Sequence, residues 1–422
     1  MGVRPSVTSG NRVARSAPPT ETAGTSRGFL LAACLLLVGL CAAPVPAAAQ
    51  TCPEGAAPPP AVDASEQPEP GATSPEPLPV PERPVGGAGL AQCGEVVPAE
   101  AAPGGITARS WVLADLDSGA VLGAKDAHSR QRPASIIKLL TALVAVRELD
   151  PDDEIVATPE DAAQEGSGVG LQPGVTYSVH DVLTGMILRS GNDAAHALAS
   201  KLGGVDATLG KMNALAERLG ARDTRVATPS GLDGPGMSTS AYDMALIMRA
   251  ALREPEFAAI GPVKEAELPS SPDRPPLRVA SDNVVVNSYP GTLAAKNGFT
   301  DDAQHTFAAA AEREGHRLVA VLMNGDRSLG PQATKLLEHG FGLDEPAAVG
   351  TLVPEKVDPA PPPKPPPAAP ESTQAASHGS NGWQLLTLVA LAAAVLLGFA
   401  VRKRRTAGGS ADEGTVSSNE RS

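Results

Sequence analysis

A serine and a lysine stand three residues apart in the stretch QRPASIIKLLT, at the front of an apolar run. On a helix, Ser135 and Lys138 would share one face. If that face lines a dry cleft, desolvation lowers the lysine pKa and favours a neutral amine, which can take the serine proton. The two residues would then be a nucleophile and its base without a histidine. Taken alone, such a spacing more often marks a solvated lysine on a surface helix.

Two further motifs favour the catalytic interpretation over a lysine on a surface helix. Ser190, Gly191 and Asn192 stand at a predicted junction of two helices, where glycine suits a tight turn that presents both polar side chains. Lys296, Asn297 and Gly298 fall on or near a predicted strand, where glycine permits close approach of the backbone. Three histidines, His180, His196 and His305, show no spacing typical of metal ligands and are expected to be ordinary packing or solvent-facing residues. No metal and no other cofactor is expected.

The elements that must position these residues indicate an α+β domain. SWVLADLDSGAVLGAKD predicts a hairpin that turns at residues 117–119. SIIKLLTALVAVREL and the segments on both sides of Ser190 have helical periodicity, and Ser178 with Asp181 predicts a helix cap. HTFAAAAEREGHRLVAVLMNG predicts two more strands, and GPQATKLLEHGF a closing helix. This order favours an antiparallel sheet packed with a helical cluster.

The three motifs resemble the active site of penicillin-binding proteins and serine β-lactamases, whose elements are S-x-x-K, S-x-N and K-T-G. RPASIIKLLTAL, LRSGNDAAHALA, TPSGLD, YPGTLAAKNGFT and KLLEHGF resemble the low-molecular-mass D-alanyl-D-alanine carboxypeptidases, peptidase family S11. The likeness covers about residues 106–343. It implies the β-lactamase/transpeptidase-like fold. It also implies a serine-type carboxypeptidase that removes the terminal D-alanine of peptidoglycan pentapeptide stems and is acylated by penicillins.

The resemblance implies a role for each motif residue. Ser135 would attack the carbonyl of the penultimate D-alanine, with Lys138 as general base. Ser190 would relay the proton to the leaving D-alanine. Asn192 would hold the substrate amide, and Lys296 would supply positive potential to the substrate carboxylate. Backbone N–H groups at the nucleophile and at Phe299 would form an oxyanion hole, a contribution of about 3 kcal/mol per donor. The other substrate-binding residues follow on the same predicted strand: Asn297, Gly298, Phe299 and Thr300.

One departure from the family pattern leaves alternatives open. Asn297 stands where the family has a threonine whose hydroxyl contacts the ligand carboxylate, and the asparagine amide is longer and differently aimed. A catalytically inactive wall-binding relative is therefore an alternative, although Ser135, Lys138, Ser190 and Asn192 are all intact. A serine β-lactamase is a second alternative. Class A enzymes of that type use a glutamate in a segment E-x-x-L-N between the second and third motifs. The sequence has no such segment there, which argues against this alternative.

The regions around the predicted catalytic domain, residues 105–345, indicate export and anchoring. Basic residues, an apolar run and an A-x-A exit predict a signal peptide over 1–49. Two proline-rich segments predict linkers, because they carry too little apolar surface to offset their ordering entropy: residues 50–104 and 346–382. An uncharged run over 383–401 predicts a transmembrane helix. The RKRR that follows it predicts a cytoplasmic tail over 402–422. The protein is thus expected to be single-pass in the cell membrane, with its catalytic domain outside.

The cysteines indicate a possible disulfide, and the net charge limits the classes of binding partner. Cys52 and Cys93 remain after signal-peptide removal and would either close a disulfide loop around the proline-rich segment or stay unpaired. The net charge of −13 argues against a nucleic-acid partner. The partners implied by the resemblance are the stem peptide ending in D-Ala-D-Ala and, as inhibitors, β-lactam antibiotics. The C-terminal helix adds the membrane as an expected partner.

Overall fold

The computed structural model describes residues 55–98, 102–344 and 347–356. The chain divides into two compact units, 1–356 and 357–422, and every described residue belongs to the first. Its strands are β1 (Glu95–Val96), β2 (Ser110–Asp115), β3 (Ala120–Lys125), β4 (Glu154–Val156), β5 (Thr176–Ser178), β6 (Glu265–Leu268), β7 (Leu277–Ala280), β8 (Thr292–Thr300), β9 (Gln304–Arg313), β10 (His316–Gly325) and β11 (Gly350–Thr351). Its helices are α1 (Lys138–Glu148), α2 (Pro159–Ala162), α3 (Val179–Arg189), α4 (Asn192–Lys201), α5 (Val205–Leu219), α6 (Ala241–Ala251), α7 (Pro255–Ile260), α8 (Val284–Ser288) and α9 (Gly330–Phe341). Short 3-10 helices span Ala88–Ala91 and Ala134–Ile137.

The main sheet is antiparallel and has seven strands in the order β1-β3-β2-β10-β9-β8, with β11 also paired to β3. The predicted hairpin is present as β2 and β3. At its turn, the N–H of Ser118 donates to the Asp115 carboxylate at 2.7 Å. The strand β8 ends the order, so its outer edge has no strand partner within the described residues. This edge strand also carries the third predicted motif, Lys296 to Gly298.

Alternating residues of the sheet pack into two separate cores, as the two-residue period of a strand requires. Val112 and Ala114 of β2 face the helical cluster built from α1 and α3 to α6. Trp111 and Leu113 of the same strand face α8 and α9. The run of alanines in β9 is buried on both faces, and such small side chains let both layers approach closely. The predicted α+β class, an antiparallel sheet packed with a helical cluster, is confirmed.

Residues at its two ends determine where α3, the helix that leads into the site, begins and ends. The hydroxyl of Ser178 accepts from the N–H of Asp181, and the Asp181 carboxylate accepts from the Ser178 N–H. This reciprocal pair satisfies two donors that the first turn of α3 leaves free, as predicted. The helix ends at Ser190, whose φ of 59° lies in the left-handed region. The chain therefore turns sharply between α3 and α4.

Residues 55–98 were predicted as part of a linker, yet they pack against the domain. Leu90 is 2% exposed in the apolar core, and β1 pairs with β3. Cys93 is disulfide-bonded, and its predicted partner Cys52 lies outside the described residues. The segment is held largely by its backbone carbonyls, which accept hydrogen bonds from buried arginines.

The predicted membrane helix over 383–401 lies outside the described residues. Among the residues that are described, no helix is both long and apolar enough to cross a membrane. The helix α5, with 15 residues, rises about 22 Å, whereas a bilayer core is about 30 Å thick. On this finding we correct the localisation: the single-pass arrangement, with the domain outside and a cytoplasmic tail, is contradicted and has no support.

Candidate active site

The predicted nucleophile lies at a sharp turn of the backbone. Ser135 belongs to the 3-10 helix that precedes α1, and Ala134 before it has a φ of 47°. A left-handed alanine is strained, so the surroundings must hold it. Part of that hold comes from the sheet, because the Thr306 hydroxyl donates to the Pro133 carbonyl at 2.8 Å. The turn leaves Ser135 half-buried.

The predicted base is buried directly beside it. Lys138 Nζ lies 3.0 Å from Ser135 Oγ, 2.7 Å from Asn192 Oδ1 and 2.5 Å from the Ser230 carbonyl oxygen. A neutral amine has two N–H bonds and one lone pair. The asparagine and the carbonyl can accept both N–H bonds, because neither can donate to nitrogen through its oxygen. The lone pair is then left for the serine hydroxyl.

The electrostatic surroundings favour that neutral form. Lys138 is 0% exposed. Burial, and next the positive charge of Lys296, hold the pKa of Lys138 well below its ordinary value, while Asp193 acts in the opposite direction. Lys138 is therefore the buried lysine that the catalytic interpretation requires, and not a solvated lysine on a surface helix.

A second serine–lysine pair faces the first. Lys296 Nζ donates to Ser190 Oγ at 2.8 Å and to the Asn297 carbonyl at 2.8 Å. Lys296 is 1% exposed, and burial lowers its pKa to about 8. With its third N–H bond uncommitted in these contacts, a charged Lys296 can serve a substrate carboxylate. The left-handed turn at Ser190 aims its hydroxyl toward this lysine.

The second motif also holds a residue that sequence reasoning missed. The carboxylate of Asp193 accepts from the N–H groups of Val169, Gly170 and Leu171 at 2.8 to 3.1 Å, and so fixes the loop beside the site. Asn192 Nδ2 donates to the Glu165 carbonyl of the same loop. An acidic residue in the first turn of α4, directly after the motif, was the signal available in the sequence.

The strand β8 closes the other side of the site. A Cβ placed on Gly298 would lie 2.7 Å from the Ser135 nitrogen and 2.6 Å from Thr306 Oγ1, so only glycine fits there. The backbone of β8 therefore runs against the backbone of the nucleophile turn. This close approach is what the predicted oxyanion hole requires, because its two expected donors are the N–H groups of Ser135 and Phe299.

The side chains of the other predicted residues of β8 have partners outside the serine–lysine cluster. Asn297 Oδ1 accepts from Asn283 Nδ2 at 3.2 Å, on the sheet face opposite to Lys296. Phe299 is 52% exposed and its ring lies 4.9 Å from that of His305. Thr300 Oγ1 accepts from the Ala303 N–H in the turn that follows. Of the third motif, then, the Lys296 side chain and the Gly298 backbone reach the cluster.

Comparison with known proteins places the same residues in one family. The family described as D-alanyl-D-alanine carboxypeptidase, Peptidase S11, matches residues 97–327. The chain is 44% identical over 252 residues to D-alanyl-D-alanine carboxypeptidase DacB2 of Mycobacterium tuberculosis, a match covering 58% of this chain and 86% of that one. It is 31% identical to D-alanyl-D-alanine carboxypeptidase DacF of Bacillus subtilis, covering 56% of this chain and 63% of that relative.

A solved structure shares the architecture. The crystal structure of a D-alanyl-D-alanine carboxypeptidase from M. tuberculosis superposes with a TM-score of 0.58 and 42% sequence identity. The superposition covers 61% of this chain and 99% of that one. The β-lactamase/transpeptidase-like fold that the motifs implied is therefore confirmed.

Proposed function

The chain belongs to the D-alanyl-D-alanine carboxypeptidase family, Peptidase S11, and from this membership we propose how its site acts. The protein is a serine-type D-Ala-D-Ala carboxypeptidase and a penicillin-binding protein. Its substrate is the peptidoglycan stem peptide, and β-lactams are its inhibitors. The roles of single residues below are our proposals, supported by the contacts of the site.

Acylation begins at Ser135. Its Oγ attacks the carbonyl carbon of the penultimate D-alanine, while its proton passes to the lone pair of Lys138 over the 3.0 Å contact. The negative oxygen that forms is stabilised by the N–H groups of Ser135 and Phe299. The contact between Lys138 Nζ and Ser135 Oγ is the observation on which the proposal depends, because a serine becomes a nucleophile when a buried, neutral amine lies at hydrogen-bond distance.

Collapse of the tetrahedral intermediate releases the terminal residue. The bond between the carbonyl carbon and the D-alanine nitrogen breaks, and the nitrogen takes a proton from Ser190 Oγ. Lys296, which donates to Ser190 at 2.8 Å, favours the negative charge on that oxygen as the proton leaves. The proton that Lys138 took from Ser135 then passes to Ser190 Oγ, which leaves Lys138 neutral again. Water then attacks the ester with Lys138 as base, which frees the shortened stem peptide and restores Ser135.

The substrate backbone has a natural place along β8. The outer edge of that strand has no strand partner in the described ranges, so its N–H and C=O groups can pair with an extended peptide. The D-Ala carboxylate would then lie near Lys296, and the rest of the stem would continue past Phe299. We assign Asn192 to hold the loop at Glu165 and Lys138 together, and to contact the substrate amide when bound.

The domain limits also remain proposals. We assign a signal peptide to residues 1–49 and the catalytic domain to 105–345, flanked by proline-rich segments. Support for the domain comes from the unbroken set of elements from β2 to α9. Mass spectrometry of the protein isolated from its host would show whether the first 49 residues are removed.

Intact-mass measurement tests the function. We expect one benzylpenicillin to add to the wild-type chain as a stable adduct, and none to add to the Ser135→Ala variant. The Thr141→Ser variant, which changes α1 but keeps the hydroxyl that donates to the Pro229 carbonyl, is the matched control and should be acylated. Consumption of the drug without an adduct would indicate a β-lactamase. Neither adduct nor consumption would indicate a wall-binding relative without activity.

A further inference from the structure

The proline-rich segment 55–98, here called the strap, has no part in the chemistry described so far. Nearly all of it precedes residue 97, where the family match begins. Even so, it contacts the two walls of the cleft that must supply the oxyanion donors. One wall is the loop that leads into Ser135, and the other is the end of β8.

On the first wall, Arg132 depends on the strap for its partners. Its Nε and Nη2 donate to the two carboxylate oxygens of Glu66, and its Nη1 donates to the Pro59 carbonyl at 2.6 Å. The Arg132 side chain is 2% exposed. A guanidinium does not lose its proton, so its burial requires these acceptors. Arg132 is three residues from Ser135.

Arg130, on the same loop, is bound in the same way. Its Nη1 donates to the carbonyls of Ala56 and Leu78 at 2.8 and 2.7 Å, and its Nη2 to the Pro79 carbonyl at 2.9 Å. Asp223 accepts from its Nε at 3.1 Å. Proline-rich backbone forms few hydrogen bonds within itself, which leaves its carbonyls free for such use.

On the second wall, the strap binds Asp302, which follows the end of β8. The Asp302 carboxylate accepts from the Val62 N–H, and from Ser65 Oγ at 3.4 Å. Its side chain is 1% exposed, and it lies 4.0 Å from Arg132 Nε. Strap residues 59–66 thus bind the nucleophile loop and the β8 end within a single short stretch.

We propose that strap residues 59–66 are a clasp that holds the Ser135 loop at its working distance from β8, with Glu66 and Asp302 as positioning residues. The inference rests on the proposed function. The oxyanion position is bounded by the Ser135 N–H on one wall and the Phe299 N–H on the other. A displacement of about 1 Å in such a site can lower a rate about 100-fold. Opening the clasp should therefore slow acylation without removing any group that touches substrate.

The test is the second-order rate constant of acylation by benzylpenicillin, measured on the full chain and scaled to the folded fraction. We expect Glu66→Ala and Asp302→Ala each to lower it about tenfold or more. The double variant should be no slower than the slower single variant, because either change already opens the clasp. Glu66→Asp keeps the carboxylate and should recover part of the rate. Glu69→Ala is the control, since Glu69 is exposed and forms no ion pair in the part of the chain described.

Each contrary outcome overturns the proposal in a recognisable way. Faster acylation in Glu66→Ala would mean that the strap obstructs the cleft. An unchanged rate with a lower unfolding temperature would mean that the ion pair only stabilises the fold. Effects of Glu66→Ala and Asp302→Ala that simply add would mean two independent contacts. Should Glu66→Ala not fold, Glu66→Gln and Asp302→Asn allow the same comparison. A wild-type chain that is not acylated at all would instead refute the proposed function.

Discussion

We expect the titration of Lys296 to limit the reaction in alkaline solution. Its ammonium donates to Ser190 Oγ, and burial lowers its pKa to about 8. The positive charge serves both the proton transfer at Ser190 and the substrate carboxylate. With this pKa, the charged fraction falls from about 90% at pH 7 to about 10% at pH 9. The acylation rate should therefore fall roughly tenfold over those two pH units.

The assay is the second-order rate constant of acylation by benzylpenicillin between about pH 6 and pH 10, with the drug's own hydrolysis subtracted. The Lys296→Arg variant is the diagnostic comparison, because a guanidinium stays charged throughout this range. Its absolute rate should be lower, since the larger group fits the buried site poorly, but its alkaline decline should disappear. A wild-type decline only near pH 10, or a decline near pH 8 that persists in Lys296→Arg, would refute the reasoning.

Three other predictions follow from named contacts. Gly298→Ala should lower acylation by about 100-fold or more, because its Cβ would displace the Ser135 N–H from the oxyanion position; the same penicillin assay measures it. Asp193→Ala should lower the free energy of unfolding by about 2 kcal/mol, since it leaves loop N–H groups without an acceptor; urea unfolding measures this, and a neutral effect would contradict it. Burial raises the pKa of Asp243 to about 8. A raised pKa favours the folded state at low pH, so stability should fall from about pH 4 to about pH 8, and Asp243→Asn should flatten that slope in urea unfolding.

Local signals in the sequence were sufficient for much of the fold. The hairpin of β2 and β3 has its turn residues in the sequence, and Ser178 with Asp181 marks the start of α3. Strand and helix periods depend on neighbours two to four residues away, which a single sequence displays. The left-handed turns at Ala134 and Ser190 are different, because residues distant in the sequence hold them. Gly191 did predict a turn between α3 and α4, but the left-handed φ falls on Ser190 and not on the glycine.

The site was predicted as a set of residues but not as an electrostatic environment. The spacing of Ser135 and Lys138 puts them on one face whether or not the amine is charged. What lowers the pKa of Lys138 is burial together with the positive charge of Lys296, and both act only in the folded chain. Asn297 shows the converse. Its position in the motif suggested a contact with the substrate carboxylate, whereas its amide oxygen accepts from Asn283 on the far face of the strand.

The strap shows why composition misled for residues 55–98. The linker prediction assumed that a segment must bury apolar surface to be ordered, and this segment has little to bury. The segment is ordered instead by polar contacts with the domain, because the domain carries two buried guanidiniums, Arg130 and Arg132, that need hydrogen-bond acceptors. Backbone carbonyls and Glu66 supply them, and removing Glu66 would break the buried ion pair of Arg132, at a cost of about 3 to 5 kcal/mol. A proline-rich segment is therefore ordered here by the needs of the surface it covers, and two arginines just before a nucleophile are the feature of the sequence that indicates such a surface.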